Sequence, residues 1–314
     1  MFLDKCFFAT TALLATTGIA AAEMSLGGTA RMGVVQNDGE TREEYRMRLN
    51  FTGTTETDSG MSVTAFTRMN IDESFSTTNV NQDTGDNAGD AYTDDNGFNG
   101  AGVTLAYQGI TVAMGNVDGA VNTNVNLYPA IVGLDGWGDY QSPAFGAADG
   151  HTEFTSNGNG PSQTRIDLSV DAFTISVSTQ ISGSDNDMEV AASYSMGDIN
   201  FGVGMLSDED NSASGDATYM SVDGAFGPLT AGIGYINSDG LNESAFVVGA
   251  AYAVSDALTV DAMYGDNGNG AFMTSETSAV GFDYSMGGGV TLRGSLGQDS
   301  AGNDNHTFGL AVAF

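Results

Sequence analysis

The chain contains almost no cysteine and almost no lysine. Cys6 is the single cysteine and Lys5 the single lysine among 314 residues. A disulfide framework, on which many small secreted domains depend, is therefore excluded for the rest of the chain. Proline (4) and tryptophan (1) are also scarce, whereas glycine (44) is abundant. This composition is typical of many strands joined by turns, and not of a helical or parallel-sheet enzyme.

Long apolar runs are missing too. After residue 22, no segment approaches the roughly 20 consecutive apolar residues that a membrane-spanning helix requires. Residues 1–22 combine Lys5, a short apolar stretch and alanines at 20–22, which is the pattern of a secretory signal peptide. We expect this leader to be removed and residues 23–314 to form one exported domain.

Positive charge is scarce, since the formal net charge is -32. Such acidity argues against nucleic acid as a partner. The acids cluster in loops such as 83–95 and 208–216, where calcium could bind, but neither segment fits a known calcium loop. His151 and His306 lack a recognisable Ser or Cys nucleophile. We therefore predict no enzyme, no catalytic residue, no metal site and no cofactor, with calcium at the acidic loops as a possible exception.

The end of the chain alternates strictly between large apolar and small side chains. Phe308, Leu310, Val312 and Phe314 share one face of a predicted strand. The same alternation recurs upstream in about sixteen segments, with tight turns at one end and polar loops, including one at 36–42, at the other. This pattern predicts an all-β fold, an antiparallel transmembrane β-barrel. A soluble β-sandwich or β-solenoid would also alternate, although sandwiches rarely continue one alternation through so many strands with long loops on only one edge.

The arginines lie within these alternating segments. A charged side chain that faces lipid at mid-depth costs about 2–4 kcal/mol, so arginines on the polar faces should point into the lumen of a barrel. We expect them to crowd one arc of the interior, as a basic pore wall. Six arginines meet this condition: Arg31, Arg46, Arg48, Arg68, Arg165 and Arg293.

Residues 116–163 show no sustained alternation, and this connection is several times longer than usual. Folded inward, it would narrow the lumen and set acids opposite the arginines, so that solutes are filtered by size and charge. A row of aromatic side chains along the lumen would indicate a channel specific for one solute such as a sugar or peptide. In this loop only Tyr128, Trp137 and Tyr140 are candidates for such a track. The loop offers five acids for the constriction: Asp118, Asp135, Asp139, Asp149 and Glu153.

Four stretches resemble the general-diffusion porins of Gram-negative bacteria, particularly the trimeric, sixteen-stranded type of purple photosynthetic bacteria. They are Leu26–Val34, Arg46–Ser62, Gly109–Asn116 and the strand that ends at Phe314. The resemblance covers the entire exported chain, although the absence of lysine and the heavy acidic loops depart from the family pattern.

This resemblance implies an outer-membrane pore for passive diffusion of small hydrophilic solutes and ions. It also implies a homotrimer in contact with membrane lipid and lipopolysaccharide, an inward-folded third loop, and a last strand that the assembly machinery recognises. Arg31, Arg46, Arg48 and Arg68 match the basic wall of the family. Two alternatives stay open: a substrate-specific outer-membrane channel, and a secreted acidic calcium-binding surface β-protein.

Overall fold

The computed structural model describes residues 22–72, 97–135, 140, 162–180, 187–207, 215–239, 241, 243–268, 276–299 and 301–314. The predicted signal peptide therefore lies outside the described residues, apart from its last position.

Within these residues the chain forms sixteen strands and one short helix. The helix, α1, spans Ala120–Asn124 and lies between the fifth and sixth strands. The strands are β1 (Glu23–Asn37), β2 (Glu40–Glu56), β3 (Ser62–Asp72), β4 (Gly97–Tyr107), β5 (Ile110–Gly115), β6 (Gln163–Val170), β7 (Phe173–Gln180), β8 (Met188–Met196), β9 (Ile199–Ser207), β10 (Ala217–Phe226), β11 (Leu229–Ser238), β12 (Ala245–Ala253), β13 (Leu258–Asp266), β14 (Glu276–Gly287), β15 (Val290–Gln298) and β16 (Asp304–Ala313).

Each strand pairs antiparallel with its neighbours in sequence, and β1 pairs with β16 to close a barrel. At the closure Arg31 lies opposite Ala311, and the amide of Gly28 donates to the carbonyl of Phe314 over 2.7 Å. Closure leaves no edge strand, so each strand has a hydrogen-bonded neighbour on both sides. The predicted antiparallel barrel of sixteen strands is confirmed.

The two faces of the wall differ as the alternation predicts. On β8, Val190 and Tyr194 are exposed on the outer face, whereas Glu189 and Ala191 are buried on the inner face. The same holds at the terminal strand, where Phe308 and Phe314 point outward and Asn305 points inward. An apolar outer face around a closed wall is the surface that hydrocarbon chains require, because charged groups there would be costly.

Aromatic side chains gather near both rims of the outer face. Tyr107 and Tyr284 stand beside tight turns, while Tyr45 and Phe308 lie towards the loop end, and all four are exposed. Aromatic rings prefer the interface between hydrocarbon and headgroups, so two such belts mark the two boundaries of a membrane.

The first connection differs from the expected polar loop at 36–42. β1 continues to Asn37 and β2 starts at Glu40, so only Asp38 and Gly39 form the turn. Both have positive φ, 47° and 79°, as a two-residue hairpin turn requires. An Asp-Gly pair provides this conformation readily, and the polar residues around it are hydrogen-bonded strand positions.

No helix among the described residues is long and apolar enough to cross a membrane.

Candidate functional site: the lumen between an arginine cluster and an inward loop

The connection after β5 turns into the barrel and attaches to the inner wall through α1. The amide of Ala120 donates to Ser178 Oγ on β7 over 2.8 Å, and the amide of Val121 donates to Glu189 Oε2 on β8 over 2.9 Å. Glu189 also accepts from the hydroxyl of Ser178 and is almost completely buried. The two wall side chains thus satisfy the first backbone donors of α1, which have no partner within the helix.

Beyond α1 the segment crosses the inner faces of successive strands. The amide of Asn126 donates to Ser221 Oγ on β10 over 3.0 Å, and the amide of Leu134 donates to Thr307 Oγ1 on β16 over 3.0 Å. Residues 117–135, which we call the lumen segment, therefore line the wall from β7 round to β16 and end beside β1.

Glycines on the inner face let the lumen segment lie directly against the strands. A Cβ on Gly234 would be 2.5 Å from the carbonyl oxygen of Leu127, and one on Gly249 would be 2.6 Å from Ala130 Cβ. Both distances are shorter than ordinary contacts, so a larger residue there would displace the segment. Both glycines occupy polar-face positions of their strands. The alternating pattern alone does not tell such glycines, which contact the lumen segment, from glycines that form turns.

Tyr140 anchors the continuation of the same connection. Its side chain is completely buried, and its hydroxyl donates to the carbonyl of Asn305 over 2.7 Å, with Ser295 Oγ at 3.2 Å. A ring in this position cannot stack on a passing solute. Tyr140 is therefore not part of an aromatic track that would indicate a solute-specific channel. Trp137 lies outside the described residues.

The opposite side of the lumen is more open. Inner-facing side chains of β2 from Arg46 to Thr54 and of β3 from Ser62 to Arg68 are half-buried, in contrast to the buried wall beneath the lumen segment. The polar, partly exposed faces of β2 and β3 form what we call the open wall.

Four arginines meet at the border between the open wall and the lumen segment. Arg31 lies on β1, Arg46 and Arg48 on β2, and Arg68 on β3, so three adjacent strands supply them. Arg31 and Arg46 are directly opposite in the register of β1 and β2. Two positive side chains in opposite positions repel each other, so such a pair needs a nearby acid.

Two acids supply that negative charge. Asp135 forms ion pairs with both Arg31 and Arg46, the latter at 3.0 Å. Glu44 accepts from Arg31 Nε over 2.6 Å and lies 3.6 Å from Arg42. Burial favours the neutral form of Asp135, but attraction by Arg31 and Arg46 outweighs it, and the pKa of this carboxyl lies below its ordinary value. The carboxylate is therefore charged at neutral pH.

Arg48 and Arg68 have amide partners on the neighbouring strand. Arg48 Nε donates to Asn70 Oδ1 over 2.9 Å, and Arg68 Nε donates to Asn50 Oδ1 over 2.8 Å. Each asparagine is the register partner of the arginine that it binds. The hydrogen bonds fix the orientation of both guanidinium groups on the open wall.

The other two predicted arginines face inward but have their own partners. Arg165 on β6 forms an ion pair with Asp167 at 2.9 Å and donates to the carbonyl of Asp118 and to Thr123 Oγ1. Arg293 on β15 lies 3.3 Å from Asp283 on β14. The expected single arc of six arginines is thus a cluster of four, with Arg165 holding the start of the lumen segment and Arg293 paired separately.

The predicted loop acids also differ in position from the expectation. Asp135 lies within the arginine cluster instead of across the lumen from it, and Asp118 contributes its backbone carbonyl to Arg165 and attracts Arg68 electrostatically. Asp139, Asp149 and Glu153 lie outside the described residues. Sequence reasoning missed Glu44 and Glu189, although both occupy polar-face positions of predicted strands.

No three His, Cys, Asp or Glu side chains converge on a metal site in the part of the chain that the structure describes. Segment 83–95 and most of 208–216 lie outside that part. Calcium binding by these acidic loops stays a prediction.

Comparison with known proteins identifies the architecture. A family model described as Gram-negative porin matches residues 9–304. The chain belongs to the Gram-negative porin family. A porin of Fuscovulum blasticum is 29% identical over 259 residues, which are 78% of this chain and 75% of that relative. The channel is therefore a porin of the outer membrane of a Gram-negative bacterium, open to diffusion of small hydrophilic solutes.

Solved structures give the same fold. An engineered variant of the Rh. blastica porin superposes with a TM-score of 0.71 at 24% identity, covering 93% of this chain and 100% of that one. A triple mutant of Rhodopseudomonas blastica porin gives a TM-score of 0.72 at 22% identity, with the same coverage. The resemblance to sixteen-stranded porins of purple bacteria, which the sequence indicated, is confirmed at the level of family and fold.

Proposed function

We propose that solutes cross this porin between the open wall of β2 and β3 and the lumen segment, and that the four clustered arginines filter them by charge. The observation that carries this proposal is the position of the cluster at the border of these two surfaces. Arg46 and Arg48 are half-buried on the lumen side, where a passing ion would feel their field.

In the part of the chain that the structure describes, the four guanidinium groups of the cluster face three carboxylates. Asp135 and Glu44 contact Arg31, Asp135 also contacts Arg46, and Asp118 attracts Arg68. An excess of positive charge in a narrow aqueous passage raises the local concentration of anions and lowers that of cations. Membership of the porin family supports passive diffusion of solutes through this passage, without a catalytic step.

The test is the reversal potential of single channels in a planar bilayer under a salt gradient. Replacing Arg46 and Arg48 together by Gln should shift the reversal potential towards cation preference. The matched control is the double change Arg293→Gln and Asp283→Asn, which removes one lumen pair with no net charge. Equal reversal potentials for the wild type and the Arg46/Arg48 variant would contradict the proposed filter.

We further propose that the porin is a homotrimer, which its resemblance to the trimeric porins supports. Conductance that closes in three equal steps, together with a trimer mass in detergent, is the expected result. A single conductance level with a monomer mass would overturn it.

We also propose that the outer face contacts membrane lipid and lipopolysaccharide, and that the last strand is the assembly signal. Phe314 supports the second proposal because its backbone bonds to Gly28 on β1 and its ring lies over that glycine, which extends the seam between β1 and β16 by one residue. Phe314→Ala should lower the fraction of heat-modifiable barrel in outer membranes, whereas Phe226→Ala, at a tight turn, should not.

A further inference from the structure

Arg48 and Arg68 stand in a reciprocal arrangement on the open wall. Arg48 is opposite Asn70 and Arg68 is opposite Asn50 in the register of β2 and β3. Each arginine gives its Nε–H to the amide oxygen of its own partner. The two guanidinium groups are therefore diagonal neighbours on one face, at positions whose Cα atoms are roughly 7–8 Å apart in such a ladder.

This arrangement leaves the bidentate end of Arg48 available. An arginine has five N–H donors, and the amide of Asn70 uses only the one on Nε. Among the residues that the structure describes, the terminal nitrogens of Arg48 make no hydrogen bond and no ion pair. Arg48 is half-buried, so these donors can reach a solute in the lumen but hold fewer waters than a free side chain would.

The charges around Arg48 are mostly repulsive. Arg46, Arg68 and Arg31 all repel it, whereas Asp135 attracts it. Asp135 is already bound to Arg31 and Arg46 and therefore neutralises them first. A multivalent anion beside Arg48 would relieve this repulsion, and it would also satisfy donors that the protein leaves unused.

We propose that Arg48, with the charge of Arg68 beside it, forms a binding subsite for a phosphate group in the lumen, either inorganic phosphate or a phosphorylated solute. The planar fork of arginine binds two oxygens of a phosphate at once, which chloride cannot reproduce. The asparagines are positioning residues, since each holds one guanidinium in place through Nε. This subsite rests on the proposed function, because it requires the open wall to be the path of solutes.

Phosphate that binds at a subsite in the path retards the ions behind it. We therefore expect inorganic phosphate at pH 8, at constant ionic strength, to reduce chloride conductance of the reconstituted porin along a saturating curve. Arg48→Gln should raise the half-blocking phosphate concentration by about tenfold, the effect of losing one charge-assisted bidentate contact.

Two further variants separate a built subsite from general attraction. Arg48→Lys keeps the charge but loses the planar fork and the Nε–H bond to Asn70, so its phosphate block should weaken severalfold while its reversal potential shifts less than that of Arg48→Gln. Arg293→Gln removes one lumen charge at a site that Asp283 already partners, and it should leave the phosphate block unchanged. Heat-modifiable migration on a gel shows that each variant has folded as a barrel.

If the phosphate block depends only on the charge at position 48, the wild type and Arg48→Lys will be blocked equally. That result would overturn the subsite. So would a linear effect of phosphate with no saturation. If the Arg46/Arg48 variant shifts the reversal potential but phosphate never blocks, the proposed filter stands and the subsite fails. If the Arg46/Arg48 variant leaves the reversal potential unchanged and phosphate does not reduce the conductance, the open wall is not the path of solutes.

Discussion

Asp135 and Arg31 form an ion pair inside the barrel although 104 positions separate them in the chain. Their contact ties the end of the lumen segment to β1, on the far side of the barrel from the helix where the segment begins. Because Asp135 also binds Arg46, one carboxylate joins the loop to the first hairpin and neutralises part of the arginine cluster.

Replacing Asp135 by Asn should therefore change both selectivity and stability. The substitution leaves Arg31 and Arg46 with less negative charge, so the reversal potential should move towards anion preference. Loss of one partner of a buried pair costs about 3–5 kcal/mol, and the side chain here is 17% exposed, so the lower end applies. Bilayer recordings and thermal unfolding in detergent are the measurements.

Asp58→Asn is the matched control, because it also removes one carboxylate, at an exposed position in the turn between β2 and β3 and away from the arginine cluster. It should leave the melting temperature unchanged. Equal effects of the two substitutions would contradict a special role for Asp135.

The same ion pair determines how the loop responds to acid. The pKa of Asp135 is lower in the folded protein than in the unfolded chain, so its contribution to stability is fully present above the ordinary value of about 3.9. That contribution is lost only as pH falls through the lower folded value. The contribution of the Asp135–Arg31 pair to channel conductance and selectivity should therefore stay constant from pH 7 to about 4.5.

Single-channel recording of the wild type and of Asp135→Asn across that range checks this point. The wild type should begin to approach the variant only at lower pH. A midpoint between pH 5 and 6 that disappears in Asp135→Asn would refute the lowered pKa.

The glycines under the lumen segment give a steric prediction. Gly234→Ala adds a Cβ that would lie 2.5 Å from the carbonyl oxygen of Leu127, so the segment must move away from the wall and into the lumen. Overpacking of this kind costs about 1–3 kcal/mol, and the open-channel conductance should fall. Gly53→Ala is the control, since a Cβ on Gly53 has no neighbour within 4 Å. Unchanged conductance in Gly234→Ala would show that the segment does not limit the path.

Arg165 should behave as an anchor of the loop more than as part of the filter. Its guanidinium binds Asp167, the carbonyl of Asp118 and Thr123 Oγ1 at once. Arg165→Gln should therefore increase hydrogen exchange at residues 118–123 and the noise of the open channel, with a smaller shift in reversal potential than Arg48→Gln. Exchange that stays at the wild-type rate would assign Arg165 to the filter instead.

The alternation of side chains accounts for most of the fold prediction. Each strand repeats every two residues, so apolar and polar faces, tight turns and the even strand number can all be read from local order. The turn at Asp38 and Gly39 was mistaken for a loop because polar strand ends resemble loops when their partners are unknown. Glu44 was missed for the same reason: a buried acid on a polar face is indistinguishable by pattern from a solvated one.

The sequence by itself thus determined the barrel, the inward direction of six arginines and the length of the connection that enters the lumen, since these follow from periodicity and from the cost of charge in lipid. Only the tertiary structure decided which arginines meet, because the registers of β1 with β2 and of β2 with β3 bring Arg31, Arg46, Arg48 and Arg68 together. It also decided that Asp135 joins the cluster and that Arg165 binds the loop. Such contacts depend on the path of an irregular segment, which no repeating pattern encodes.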